Sequence, residues 1–437
     1  MKSYDRKSAA SIYEYTLQLV GKSLRQVTNL PEGVENSKNR GDLGSLLERY
    51  FFKHIPPNNH EPDFPEAFLE LKTTGLVRGK GAKFRAKERL VLSLINYSDL
   101  AKEEWETSNF LRKSKLLLIV FYEFDRNKKA ADRVFPIPPV IYEIPQEDLA
   151  TIRQDWETIR DKVKDGRAHE LSEGDTFYLA ACRKGTGGEN EKLSTQPFSD
   201  TKAKSRAFSF KQSYVNRILN LSDSKKEKDG GVGIEQEIIS KLKPHIGRTI
   251  EEIGDEFNLR RHETKQKAYH RSLILKILAR NTDSMAKLKD AGIQLKTVKI
   301  NRMNKPKEAM SFPAFDSTEL TSQVWEDSDF YQITEKKFLF VVFKSFEDGV
   351  ERLHKVGFWN MPFADREEAK RVWELTKSQI LKGSSDFPKG SESVVAHVRP
   401  HARNALDTET TPLGVVQTKK CFWLNREYIA RVVDSLN

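Results

Sequence analysis

The sequence predicts an α/β chain, a mixed sheet flanked by helices, laid down twice in tandem. Three observations carry that reading. The apolar runs Leu116 to Phe121 and Phe338 to Phe343 have the length of buried strands and fall far short of a membrane span. Residues 66–73 alternate apolar and polar as a strand does, and 88–96 are mostly apolar, so both are expected in a central buried sheet. Finally, the motifs of the first half recur in the second in the same order.

The recurrence can be followed element by element. Each half opens on an amphipathic helical pattern, Ile12 to Val20 and Ile234 to Leu242, followed by Gly21-Lys22-Ser23 or Gly247-Arg248-Thr249. Phe68-Leu-Glu-Leu-Lys-Thr73 is echoed by Gly292-Ile-Gln-Leu-Lys-Thr297, and Trp105-Glu-Thr-Ser-Asn-Phe110 by Trp325-Glu-Asp-Ser-Asp-Phe330. The two apolar runs follow at matching distance, and these three matches lie at offsets of 220 to 224 residues. Leu221 to Gly231 is polar, charged and ends in paired glycines, which makes it the expected linker. The expected layout is a first domain over 1–220, a linker over 221–231 and a second domain over 232–437.

Lys and Arg outnumber Asp and Glu by 74 to 63, a net charge of +11 that favours a polyanionic partner. The two cysteines, Cys182 and Cys421, form neither a disulfide framework nor a zinc signature, and the N-terminal stretch lacks the apolar core of a signal peptide. A cytoplasmic location is the expectation.

The densest chemistry lies between Pro62-Asp63 and Glu70-Leu71-Lys72. On a strand Glu70 and Lys72 project to one side, and a hairpin-like return would bring Asp63 beside Glu70. Two carboxylates suit Mg²⁺, which neutralises charge on a phosphate and promotes hydroxide formation, while an ammonium orients the attacking water. Glu48 is a further candidate, on a helix expected over Asp42 to Phe52 whose Leu43, Leu46, Leu47 and Tyr50 would face the sheet. A Glu-x-Lys triplet alone is usually a solvated strand face, so a longer pattern is needed.

A longer pattern exists. Gly41-Asp-Leu-Gly-Ser-Leu-Leu-Glu48, Asp63-Phe64, Leu69-Glu-Leu-Lys-Thr73 and Trp105-Glu-Thr-Ser108, with Lys113 and Lys115 behind, resemble the MutH family of GATC-specific mismatch-repair endonucleases. Lys87-Glu-Arg-Leu-Val-Leu92, Ala168-His-Glu-Leu-Ser-Glu-Gly174, Ser199 to Phe208 and His397-Val-Arg-Pro-His401 are more similar still to its GATC-cutting restriction relatives. The resemblance implies two tandem PD-(D/E)xK nuclease domains. It makes Asp63 and Glu70 metal ligands, Lys72 the water-orienting group, Glu48 a carboxylate supporting the metal site and Lys113 an additional active-site lysine. It also implies DNA contacts from Arg183, Lys184, Arg206 and Lys211 in the first copy, where Cys182 and Ser209 depart from the MutH pattern. In the second copy the contacts implied are Arg399, His401 and Trp423.

The second copy should not cut. Gln294 stands where Glu70 would be, Lys287 stands seven residues before it in place of Asp63, and no Asp or Glu lies between Thr264 and Thr282. Neutral Gln is a poor Mg²⁺ ligand and a lysine would repel the ion. The function expected is therefore a type II restriction endonuclease cutting GATC with Mg²⁺, its C-terminal domain binding a second GATC site allosterically. One active centre per chain implies that two chains self-associate on the palindromic duplex, cutting before G to leave four-base 5′ overhangs. A cognate host methyltransferase is the further partner implied. The competing readings are a mismatch-repair nicking enzyme and a non-catalytic GATC-binding regulator.

Overall fold

A computed structural model describes residues 3–31, 34, 42–54, 61–79, 81, 83–185, 191, 193–220, 232–259, 266–280, 284–401, 404 and 406–436. The expected linker, 221–231, lies outside the described residues. No helix among the described residues is long and apolar enough to cross a membrane.

The first half is built on a four-stranded sheet of β1 (Glu70–Arg78), β2 (Phe84–Ala86), β4 (Leu116–Glu123) and β5 (Val140–Glu143), in the order β2-β1-β4-β5. β1 and β4 are parallel, with Glu70 beside Leu117 and Lys72 beside Ile119. β3 (Leu90–Leu94) belongs elsewhere, correcting the expectation for 88–96. It pairs with β9 (Arg206–Phe210), which also pairs with β6 (Leu179–Arg183), and these three strands form a second sheet. β7 (Leu193–Gln196) and β8 (Ser199–Lys204) make a separate ribbon.

The alternating side chains of β4 explain the layering. Leu118, Val120 and Tyr122 turn to a core built with Ile12, Leu19, Leu47 and Phe51, whereas Leu117, Ile119 and Phe121 turn to a core built with Trp156 and Phe208. Helices thus cover one face of the sheet, and the second sheet with the long helix Gln146–Lys164 covers the other.

The second half repeats this plan. β10 (Gln294–Ile300) runs parallel to β12 (Lys337–Ser345), which pairs with β13 (Glu351–Asn360). β11 (Met310–Ala314), β17 (Lys420–Leu424) and β14 (Ala396–Pro400) form the second sheet, and β15 (Thr408–Thr410) with β16 (Val416–Thr418) the ribbon. The likeness extends to turns. Gly21 and Gly247 both take positive φ (76° and 87°), where a side chain would be strained, and both donate to backbone carbonyls of a later segment, Phe135 O and Leu353 O. Each leads into a reciprocal helix cap, Ser23 with Gln26 and Thr249 with Glu252. Ser108 and Ser328 cap the two short helices that follow the tryptophan motifs.

The halves share interior. Leu339, Val341 and Phe343 of β12 and the helix Ile234–Leu242 are continuous with the first half's core around Trp156. Polar contacts reinforce the junction. The Lys337 ammonium donates to Asp175 O (3.0 Å), the Asn360 amide to the Asp175 carboxylate (3.0 Å), and Arg366 binds both Glu335 (3.1 Å) and Glu170 O (2.6 Å).

Candidate active site

The hairpin expected between Asp63 and Glu70 is present. Phe64 and Leu69 form an antiparallel bridge closed by a single turn at Pro65–Ala67, with Phe68 in the left-handed region (φ 52°) to complete the reversal. Because the loop is so short, the Asp63 N–H donates to Glu70 Oε2 (3.1 Å) and the Leu71 N–H donates to Asp63 Oδ2 (2.9 Å). The two carboxylates are thereby locked side by side. Both are buried, Asp63 to 8% exposure and Glu70 to 2%.

Lys72 projects from β1 on the same side as Glu70 and donates to Glu70 Oε1 at 2.6 Å. Lys113, on the helix Asn109–Ser114 leading into β4, reaches the same oxygen at 3.3 Å. Glu48 stands on a π-helical turn, Leu47–Phe51, which continues the helix Asp42–Leu46. Such a turn inserts one residue into the helix and is frequent at functional sites. The expected apolar face is confirmed by the burial of Leu43, Leu46 and Leu47.

Burial pushes the Asp63 carboxyl above its ordinary range, and the charge of Glu70 raises it further. Burial likewise raises Glu48, which feels Asp63 and Glu70 against the relief of Lys72. Crowded, desolvated carboxylates of this kind favour a cation. Among the described residues no three carboxylate, imidazole or thiol groups close into a cage. That donor set fits Mg²⁺, which commonly takes one or two carboxylates and completes its shell with water and phosphate oxygens.

One contributor escaped the sequence reading. The His54 ring hydrogen-bonds Asp63 O and stacks on Phe64 (5.3 Å between centroids), bracing the hairpin from behind. An isolated histidine across residues 55–60 carries no local signal of that role.

The expected DNA-contacting residues divide sharply. Arg206 is buried, and its guanidinium donates to Ala181 O (2.6 Å) and to Leu171 O. Lys211 donates to Thr176 O (2.6 Å) and faces the buried Asp155, with burial lowering it to about 7. Both side chains are committed to carbonyls inside the fold, which corrects the expectation that they face DNA. Arg183 is mostly covered and lies near Glu191 (3.6 Å) and Asp327 of the second half (3.7 Å). Lys184 is half-buried, with its backbone N–H on Ser205 O.

In the second half the corresponding sheet face is open. Arg399 and His401 are exposed, the Arg399 guanidinium lies 3.7 Å over the Trp423 ring, and His401 meets the same ring edge-on at 5.3 Å. His397 stacks alongside Trp423 and is fixed by Asn425. Arg399, Trp423, His397 and Asn425 line a cavity of about 500 Å³ with Lys307 and Arg426. The register aligns the two faces. His397 pairs with Trp423 as Ala180 pairs with Ser209, which places Cys182 at the position of Arg399.

The catalytic positions of the second half diverge in more than sequence. Gln294 beside Phe338 repeats the register of Glu70 beside Leu117. The Asp63 hairpin, however, is replaced by the helix Ser284–Asp290, and Lys287 on it is bound to Glu237 at 2.6 Å. Lys287 therefore does not occupy the metal position, as the spacing suggested; it braces a helix.

Known proteins resemble this sequence. A family described as DNA mismatch repair enzyme MutH matches residues 52–155, the stretch holding Asp63, Glu70, Lys72 and Lys113. The MutH proteins of Shewanella woodyi and of Escherichia coli O6:K15:H31 are each 26% identical to the chain, over 42% and 46% of it and 77% and 87% of their own lengths. The type II restriction enzyme Sau3AI of Staphylococcus aureus is 33% identical over the full length of both chains. The chain belongs to the family of this MutH-like type II restriction endonuclease and is a site-specific deoxyribonuclease.

Proposed function

We propose that the first half hydrolyses DNA phosphodiesters at GATC with Mg²⁺, and that the second half binds a second GATC duplex without cutting it. The observation that carries the reading is the convergence of Asp63, Glu70, Lys72 and Lys113 at the start of β1, with two carboxylates and two ammoniums sharing one pocket.

Mg²⁺ held by Asp63 and Glu70 would neutralise charge on the scissile phosphate and acidify a bound water. The protein's own groups do the positioning. The backbone N–H of Leu71 fixes one Asp63 oxygen, leaving the other for the ion. Lys72 holds its ammonium beside Glu70, where it can orient the attacking water and stabilise the negative charge that develops as that water attacks. Lys113 presents a second positive charge to the phosphate that becomes pentacoordinate. Glu48, with its raised affinity for protons, supports the ion through water.

The second half supplies an open Arg399–Trp423–His401 surface in place of catalysis. Arginine suits guanine O6 and N7 or a phosphate, and its stack on the indole holds it ready. One active centre per chain leads to two chains pairing on the palindrome, and protection of the host's own sites requires a GATC methyltransferase.

Supercoiled plasmid digested by the purified protein tests the proposal. Linear product with Mg²⁺, absent with EDTA and absent from a plasmid lacking GATC, is the result expected. Accumulation of nicked circles alone would place the chain with the repair nickases, and intact plasmid would leave only a binding protein.

A further inference from the structure

The second half's counterpart of the catalytic pocket holds cations without the carboxylates. Where the first half gathers Asp63, Glu70 and Glu48, the second gathers Lys296, Lys336 and Arg271. Lys296 occupies on β10 the register position that Lys72 holds on β1, beside Phe340 as Lys72 is beside Ile119. Arg271, on the helix Gln266–Ala279, reaches over this strand and donates to Leu295 O (3.1 Å), the carbonyl next to Lys296. Lys336 sits just before β12 and lines a cavity of about 270 Å³ whose wall includes Phe312, and the Lys296 ammonium lies 5.3 Å from that ring.

Among the described residues none of these three cations lies within ion-pair distance of a carboxylate, whereas Lys72 of the first half is paired with Glu70. Asp316 and Glu319, which also line the cavity, are committed elsewhere: Asp316 caps the helix Ser317–Ser322 and Glu319 accepts from Gln323. Asp329 is the carboxylate whose charge Lys336 feels. Lys296 and Lys336 are both held below the ordinary ammonium range, chiefly by burial, and Lys296 is also repelled by Arg271 and Lys336. Lys296 and Lys336 are half-buried and Arg271 is exposed above them, and half-buried cations that repel one another destabilise the protein that keeps them, unless an anion binds.

We propose that Lys296, Lys336 and Arg271 form a metal-free phosphate site, which grips a backbone phosphodiester of the duplex held by the second half. The inference rests on the reading of that half as a DNA-binding module. It also explains why Gln294 and the loss of the Asp63 hairpin accompany a retained lysine. With the carboxylates gone, the ammoniums contact the phosphate directly, where the first half reaches it through an ion.

The test uses the full chain carrying Asp63→Asn, so that DNA is not consumed, titrated with a labelled GATC duplex until two duplexes are bound. Adding Lys296→Met and Lys336→Met should weaken the second binding event on the order of tenfold and flatten its salt dependence by about one unit of log–log slope, the signature of a lost phosphate contact. Lys296→Arg, which keeps the charge, should restore binding and controls for misfolding. Without DNA, sulfate should raise Tm in the parent and no longer do so in the double variant, which separates free anion binding from the DNA contact. Unchanged affinity and slope, with Arg399→Ala still weakening the second event, would overturn the phosphate site alone. If Arg399→Ala also leaves that event intact, the DNA-binding reading falls and takes the site with it.

Discussion

β1 and β10 lie in the same register against β4 and β12, yet one begins with a buried glutamate tied to an aspartate hairpin and the other with a glutamine behind a helix. The second sheets differ in the opposite sense. β14 and β17 present Arg399 and Trp423 on an open face, whereas the matching positions of β6 and β9 are Cys182 and Ser209, both buried. Each half has thus kept a feature that the other has lost. The rigid part, the strand register, survived in both copies because a one-residue slip would turn every core side chain outward.

Substitutions at the two strand starts should break this asymmetry most visibly. Glu70→Gln copies the second half's residue into the first and should lower cleavage on the order of a thousandfold or more, beyond the cost of losing one hydrogen-bond donor to the transition state. The converse, Gln294→Glu, should create no second nuclease, because no partner carboxylate returns with it. Plasmid cleavage by Glu70→Gln combined with Gln294→Glu measures both at once. Linear or nicked product at anything near the parental rate would show that the second half can be re-armed.

The two reading faces offer the next largest contrast. Arg399→Ala should cost about 1–3 kcal/mol in duplex binding by the second half and remove stimulation by added GATC duplex, while single-site cleavage persists. Arg206→Ala should instead lower stability by a few kcal/mol, since Ala181 O and Leu171 O lose their donor in the interior. Calorimetry and anisotropy on both variants separate the roles. If Arg206→Ala weakened binding with Tm unchanged, its assignment as a structural residue would be wrong.

These contrasts mark where sequence reasoning succeeded. Asp63, Glu70 and Lys72 could be read because eight residues of chain, with a proline-bounded turn, close the site locally. Lys113 followed from its place behind Trp105-Glu-Thr-Ser108, and the structure brings it to Glu70. Long-range facts were hidden. Strand 90–94 finds its partner in β9, more than a hundred residues later, and nothing local distinguishes it from a strand of the first sheet. Arg206 and Lys211 look like surface cations in a basic chain. Only the fold shows that carbonyls at Ala181, Leu171 and Thr176, together with Asp155, draw them inward. Counting seven residues back from Gln294 assumed a hairpin where the chain makes a helix, so Lys287 was given the wrong neighbour.

The smallest effect isolates what the carboxylate pair costs the folded protein. Asp63 is raised by burial and by Glu70, so its folded pKa lies above its unfolded one. A group shifted in that direction lends stability while protonated and withdraws it as pH rises through the folded value, which leaves ionised Asp63 a burden at neutral pH. Asp63→Asn keeps an oxygen for the Leu71 N–H and removes the charge, so without Mg²⁺ it should melt higher than the parent near pH 7, with the gap closing toward pH 4. In a domain of this size each kcal/mol relieved moves Tm by roughly 2–4 °C. Mg²⁺ should raise the parent's Tm and leave that of Asp63→Asn unchanged, and higher Mg²⁺ should move the acidic limb of cleavage to lower pH, because ion and proton compete for the same oxygens. The second half, with no such pair, contributes nothing to either trend. If Mg²⁺ stabilised Asp63→Asn as much as the parent, the ion would be bound somewhere other than beside β1.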